Sequence, residues 1–275
     1  MNSIIANEHN KKKCQKFTPI NEVNDMLDLA GYTHGLLGKK VLEYSFGSGN
    51  IIKQIVKRYI VDALSRNVDV NSISAGLTAD IYGVELDRQL YNQCICELNR
   101  IVNDYALPNV NWSFVCADAL QWTAELKFDF IIGNPPYISY HDIDEANRNY
   151  IRQNFSTCKK GKFDYCYAFL EKGADLLAPD GKMVQLIPSN IYKNVFGDAI
   201  RKKLLPGVST VWEYPNSQLF EDTLTSSSIL VYESRKDITT ISYRASPKAK
   251  AVQIEKNRLG DKVESSEKND TDNIG

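Results

Sequence analysis

Apolar residues fall along this chain in two alternating rhythms. Short runs at 40–45, 81–85, 112–116, 128–132, 183–187, 211–214 and 228–232 are rich in β-branched and aromatic residues, as buried strands are. Between them, Ile51-Ile52, Ile55-Val56, Tyr59-Ile60 and Ala63-Leu64 recur at helical spacing, and the same period runs through 90–102 and 165–177. The alternation predicts an α/β fold: a doubly wound, mostly parallel seven-stranded sheet whose strands are joined by right-handed helical crossovers. The segment between the last two runs is polar and too short for a crossover helix. An antiparallel C-terminal strand is therefore expected there.

Two regions break the rhythm. Residues 139–162 are polar and rich in both charges, so the alternatives are an ordered helix and a mobile flap. After Arg235 the chain turns polar, offers one edge strand at 238–243, and ends in a charged tail whose composition suits disorder. No internal repeat is present.

At 275 residues the chain can bury a sizeable single core, and its formal charge is −1. Near-neutrality means that a polyanionic partner would have to be met by a local basic surface. Lys159-Lys160-Lys162 and Arg201-Lys202-Lys203 are the candidates, each equally compatible with an ordinary solvated face. The six cysteines, at 14, 94, 96, 116, 158 and 166, form no paired CxxC set. Cys116 and Cys166 lie in apolar runs and read as small core residues, which disfavours both a disulfide framework and structural zinc; no metal site is expected. The N-terminus has no apolar leader and no run is long enough for a bilayer, so a cytoplasmic protein without a membrane partner is expected.

Candidate chemistry concentrates where strands end. Asn134-Pro135-Pro136-Tyr137 directly follows the run Phe128-Asp129-Phe130-Ile131-Ile132-Gly133. Two proline rings fix φ and remove two donors, so the carbonyls of Asn134 and Pro135 can be aimed outward. One amide, aimed carbonyls and one flat ring suit a planar heterocycle or amide bearing an NH₂ group. On these four residues alone, the alternative is a simple strand stop with Tyr137 capping the core.

Upstream, Val41-Leu42-Glu43-Tyr44-Ser45-Phe46-Gly47-Ser48-Gly49-Asn50 reads as a strand, a glycine turn and the start of a helix. Gly83-Val84-Glu85-Leu86-Asp87 puts a carboxylate at the tip of the second strand, where it can hold a ribose diol. Cys116-Ala117-Asp118-Ala119 puts Asp118 at the tip of the third, where it can accept from an adenine amino group. Each acid alone could instead cap a helix. Asn50-Ile51-Ile52-Lys53 lacks a phosphate-loop ending, which favours a nucleoside without phosphates. S-adenosyl-L-methionine is such a ligand, with Glu43 as a counter-charge for its sulfonium.

Taken together these residues resemble the adenine-specific DNA amino-methyltransferases of restriction-modification systems, in the γ arrangement where cofactor motifs precede the catalytic one. Phe17-Thr18-Pro19 resembles the segment that closes over the methionine end of the cofactor. Glu43 to Gly49, Glu85 with Leu86, and Asp118 with Ala119 resemble the three cofactor motifs. Asn134-Pro135-Pro136-Tyr137 is similar to the catalytic motif, with Asn134 also bordering the cofactor. Phe163 to Phe169, Pro179-Asp180-Gly181-Lys182 and Leu186-Ile187-Pro188-Ser189-Asn190 resemble the following motifs. Phe220 with Thr225 to Val231 resembles the motif whose aromatic sits against the target base, opposite Tyr137.

The resemblance implies a Rossmann-like S-adenosylmethionine-dependent methyltransferase fold. It also implies a catalytic domain over 1–235 and double-stranded DNA as substrate. The family usually continues into a target-recognition domain, whereas 236–275 is a polar tail or the start of such a region. Either the chain is a fragment or a separate recognition or restriction subunit supplies that part. Two rival readings remain: a methyltransferase acting on a protein glutamine amide, and a non-catalytic binding subunit.

Overall fold

The computed structural model describes residues 18–214, 226–235 and 238–257; Phe17, Phe220, residues 221–225 and the tail from 258 lie outside them. Seven strands appear where the apolar runs predict them: β1 (Val41–Glu43), β2 (Ile81–Glu85), β3 (Ser113–Cys116), β4 (Phe128–Gly133), β5 (Leu177–Pro188), β6 (Val208–Tyr214) and β7 (Ser227–Glu233). They pair in the order β3-β2-β1-β4-β5-β7-β6. The first five are mutually parallel, and β7 lies antiparallel between β5 and β6. The antiparallel pairing expected of β6 and β7 is therefore present.

The sheet does not stop at seven strands. β8 (Thr240–Arg244) pairs parallel to β6, and β9 (Val252–Glu255) pairs antiparallel to β8, giving nine strands among the described residues. β8 covers the expected edge strand, while β9 has too little apolar content to be read from sequence. Arg244 fastens this extension: its guanidinium lies 3.4 Å from the centre of the Trp212 ring on β6.

Successive residues of the central strands face opposite layers. Leu42, Ile131, Met183 and Leu230 pack on the side of α6 (Tyr165–Leu176), together with Ile151 of α5 (Glu145–Asn154) and Ile200 and Leu204 of α7 (Asp198–Leu204). Val41, Ile132, Val184 and Ile229 pack against α1 (Ile20–Ala30), α2 (Asn50–Ser65), α3 (Val70–Asp80) and α4 (Arg88–Asp104). Both faces of the sheet are covered, which is why its strands read as continuous apolar runs. Each fully buried Leu or Ile contributes about 1.5–3 kcal/mol by leaving water.

α2 buries its predicted stripe, Ile51, Ile52, Ile55, Val56, Tyr59, Ile60 and Ala63, but Leu64 at the end of that stripe is exposed. Residues 139–162 take the ordered alternative: short 3₁₀ turns at Tyr140–Asp142 and Ser156–Cys158 flank α5. Cys166 is buried as expected, whereas Cys116 is only half-buried with its Sγ on the Leu86 carbonyl. No described helix is long and apolar enough to cross a membrane.

Candidate functional site

The order of strands reverses between β1 and β4, and open α/β sheets bind ligands at the carboxyl edge of such a switch point. Three stretches distant in sequence meet there. They are the glycine turn after β1, the Asn134-Pro135-Pro136-Tyr137 corner after β4, and Thr18-Pro19 just ahead of α1. Thr18 is buried and joins the other two. The Asn134 Nδ2 donates to Thr18 Oγ1 at 3.1 Å, and the Asn50 Nδ2 donates to the Thr18 carbonyl at 3.2 Å. Ser45 completes the tie by donating its hydroxyl to the Asn134 carbonyl at 3.3 Å.

The two glycines of the turn have different work. Both hold left-handed backbone, with φ of 54° at Gly47 and 86° at Gly49. A Cβ on Gly47 would meet no atom within 4 Å, so this position faces open space where a ligand can approach the backbone. A Cβ on Gly49 would come within 2.5 Å of Cys94 Sγ on α4. Close packing between turn and helix, assigned in nucleotide-binding fingerprints to a third glycine, is carried here by the second.

The three acids are held in three ways. Glu43 is 2 % exposed, and its Oε2 has no hydrogen-bond partner among the described residues. Burial first, and then the nearby Glu85 carboxylate, push the Glu43 carboxyl well above the ordinary range, against a smaller pull from the Ile52 N–H. Glu85 is also raised, chiefly by burial, while its oxygens accept from the N–H groups of Gly47 at 2.8 Å and Asp87 at 2.9 Å. Asp118 accepts from the Leu120 N–H at 2.9 Å and from the Gln121 amide at 3.1 Å. Ala119 beside it is buried and Leu86 is exposed. Glu85 thus ties its own loop to the glycine turn after β1 and Asp118 shapes its own loop, and each retains lone pairs, since a carboxylate accepts about four hydrogen bonds.

At the corner, one sequence expectation is corrected. The Asn134 carbonyl is engaged by Ser45 rather than aimed outward, because that bond is what locks the corner to the glycine turn. Pro135 is buried and Pro136 half-buried. Tyr137 is half-buried as a residue while its hydroxyl is sealed from water, which drives the phenol pKa upward. The next residue anchors the corner from behind, the Ile138 carbonyl accepting from the Tyr165 N–H at 3.0 Å.

Three participants were not singled out from the sequence. Ser45 and Asn50 sit inside the glycine-turn run but carry no motif of their own. Gln185 is fully buried on β5 beside Gly133, donating to the Ile131 carbonyl at 3.3 Å and leaving its Oε1 without a partner among the described residues. A side chain on Gly133 would lie 3.4 Å from that oxygen and 3.8 Å from Glu43 Cγ, so Glu43 and Gln185 flank the same glycine. A lone glutamine within the apolar run 183–187 was the available signal. Phe17 and Phe220 lie outside the described residues.

Comparison with known proteins supplies the family and the fold. Residues 57–217 match the family model of the Eco57I restriction-modification methylase. A curated relative, the type II methyltransferase M.BstVI of Geobacillus stearothermophilus, is 31 % identical over 193 residues, covering 66 % of this chain and 34 % of that protein. The modification methylase CviBIII of Paramecium bursaria Chlorella virus NC1A is 28 % identical, covering 87 % of this chain and 55 % of that protein. The chain therefore spans between about a third and somewhat over half of the length of these relatives. Among solved structures, one from Listeria monocytogenes assigned to the class I S-adenosylmethionine-dependent methyltransferases superposes with a TM-score of 0.60 at 18 % identity. It covers 85 % of this chain and 64 % of that one. At that identity the likeness establishes the fold.

Proposed function

This chain belongs to the Eco57I restriction-modification methylase family, and from that premise we propose that it transfers a methyl group from S-adenosylmethionine to the exocyclic amino group of an adenine swung out of double-stranded DNA. The residues at the switch point suit the cofactor. Gly47 leaves open space beside its backbone, and the buried Glu43 Oε2, without a hydrogen-bond partner among the described residues, is a fitting neighbour for a cation. Glu85 would take the ribose hydroxyls on its remaining lone pairs and Asp118 the adenine amino group, with Thr18, Pro19, Leu86 and Ala119 as walls. Phe17, outside the described residues, is assigned to cofactor binding by its sequence resemblance alone. The bound cofactor supplies an activated methyl group; everything else falls to the protein.

An adenine amino group is a poor nucleophile because its lone pair is delocalised into the ring. With Asn134 Nδ2 committed to Thr18, the Oδ1 end of the amide takes acceptor duty, and the Pro135 carbonyl is the second acceptor. Two acceptors on the two amino protons draw the nitrogen toward tetrahedral geometry, and Pro136 keeps the corner rigid while they do so. Catalysis of this kind is positioning plus fixed dipoles. Extruding a paired base requires a few kcal/mol. Stacking on Tyr137, and on Phe220 opposite, would return about 1–3 kcal/mol per contact.

The observation that carries this reading is the Thr18 tie, which brings the cofactor turn and the Asn134 corner within one hydrogen-bonded unit. The test is transfer of a labelled methyl group from S-adenosylmethionine to plasmid DNA, with the product digested to nucleosides. N6-methyl-2′-deoxyadenosine is expected, with Asn134→Ala inactive but still binding cofactor in a calorimeter. Label in cytosine or in protein would overturn it. Because the chain covers only part of its relatives, we include a separate recognition or restriction polypeptide in the proposal. Transfer that appears only on adding cell extract would support that part.

A further inference from the structure

The turn that follows β5 carries an apolar tip that the mechanism above does not use. Val195 is 81 % exposed and Phe196 44 %, in a turn leaving β5 by way of the 3₁₀ segment Ser189–Tyr192. Exposed adjacent apolar residues are normally solvated by a floppy loop, but this turn is stapled. Arg201 donates to the carbonyls of Ile191 at 2.8 Å and Asn194 at 2.6 Å, and the Asn194 side chain accepts from the Phe196 N–H at 2.9 Å. The Phe196 ring lies directly on Gly161: a Cβ there would fall 2.4 Å from Phe196 Cδ1.

Gly161 is flanked by lysines. Lys159, Lys160 and Lys162 are exposed, as is Lys193 three positions before the ring, and none of the four has an ion-pair partner among the described residues. Their loop is also held rigid. Arg152 donates to the carbonyls of Lys159 at 3.2 Å and Gly161 at 3.0 Å, and its guanidinium stacks over Tyr140, three residues past Tyr137. Two arginines thus hold in one patch an apolar tip and four ammonium groups without an ion-pair partner among the described residues, and Arg152 joins that patch to Tyr140, three positions after Tyr137.

We propose that this patch is a DNA-contacting surface on which Lys159, Lys160, Lys162 and Lys193 bind phosphates while Val195 and Phe196 press into a base step next to the extruded nucleotide. The partner follows from charge complementarity: unpaired lysines around a rigid apolar tip match a polyanion whose interior is apolar and whose steps open when a wedge enters. It rests on the DNA reading above and names the protein surface that reading requires.

Two readouts separate the two parts. With a fluorescein-labelled duplex, the triple variant K159A/K160A/K162A should bind about 10–100-fold more weakly at low salt and lower the salt slope by about 2–3, near 0.9 per lost contact. In topoisomerase relaxation of a closed plasmid, the wild-type chain should shift the linking number. V195S/F196A should lose most of that shift. Cofactor affinity, measured by calorimetry, should be unchanged in both surface variants. If methyl transfer to DNA occurs yet these variants bind and unwind duplex like the wild type, the surface is refuted and the methylation reading stands. Lysine-dependent duplex binding without any methyl transfer, whether or not cell extract is added, would sustain the surface and refute the methylation reading instead. Protection of Val195 and Phe196 only by an added protein subunit would also refute the surface.

Discussion

Thr18 and Asn134, 116 positions apart in the chain, are joined by a hydrogen bond of 3.1 Å from the asparagine amide to the threonine hydroxyl. That bond selects which end of the amide donates, and so which end is left to accept. Thr18→Val removes the acceptor at nearly constant volume and frees the amide to flip, which should lower methyl-transfer kcat about 10-fold, equivalent to one lost hydrogen bond of about 1.4 kcal/mol. Thr18→Ser should restore the rate. A Val variant with wild-type kcat would show that the tie does not orient the amide.

Glu43 supplies a pH signature. Its carboxyl is raised by burial and by Glu85, so without a ligand it holds its proton to higher pH than an ordinary glutamate. A cation bound beside it favours the ionised form, so cofactor binding should release a proton and tighten as pH rises through the ligand-free pKa. Calorimetry in buffers of different ionisation enthalpy measures the release. Glu43→Gln should abolish both the release and the pH slope.

The two glycines of the turn should separate stability from binding. Gly49→Ala combines left-handed φ with a collision against Cys94 Sγ and should destabilise the fold by about 2–4 kcal/mol. Gly47→Ala meets no neighbour, so its strain is limited to about 1 kcal/mol, but the new methyl occupies the open space beside the turn. Urea unfolding should rank Gly49→Ala far below Gly47→Ala. Cofactor affinity should fall in Gly47→Ala despite its near-normal stability.

Glu171 should account for part of the acid sensitivity. Burial raises its carboxyl, but donors from Ser156 and Thr157 outweigh burial and hold it at about 2, against an ordinary 4.5. A depressed folded-state pKa contributes stability above the unfolded value that is lost as pH falls, here between about 4.5 and 2, on the order of 3 kcal/mol. Denaturant unfolding of Glu171→Gln should be weaker than wild type at pH 6 and converge with it near pH 2. A constant difference across that range would rule out the charge as the cause.

Much of this protein is written locally. The continuous apolar runs determined seven strands and the period-3.6 pattern the helices α2, α4 and α6, because a segment buried on both faces must be apolar whatever its neighbours are. The strand-end acids, the glycine turn and the Asn134 corner were legible for a related reason, since backbone conformations that need Gly or Pro leave a mark in sequence. α3 left a weaker mark, a small and polar stretch whose Gly76 is required by the Tyr59 hydroxyl of another helix. What only the tertiary structure decided is who meets whom. Nothing in the order of residues places Thr18 between Asn50 and Asn134, sets Gln185 opposite Glu43 across Gly133, turns the Asn134 carbonyl onto Ser45, or seats Phe196 on Gly161 among lysines. Those contacts join residues through space across strand pairings and helix packing, and a hydrogen bond between positions 116 apart has no period for a sequence to display.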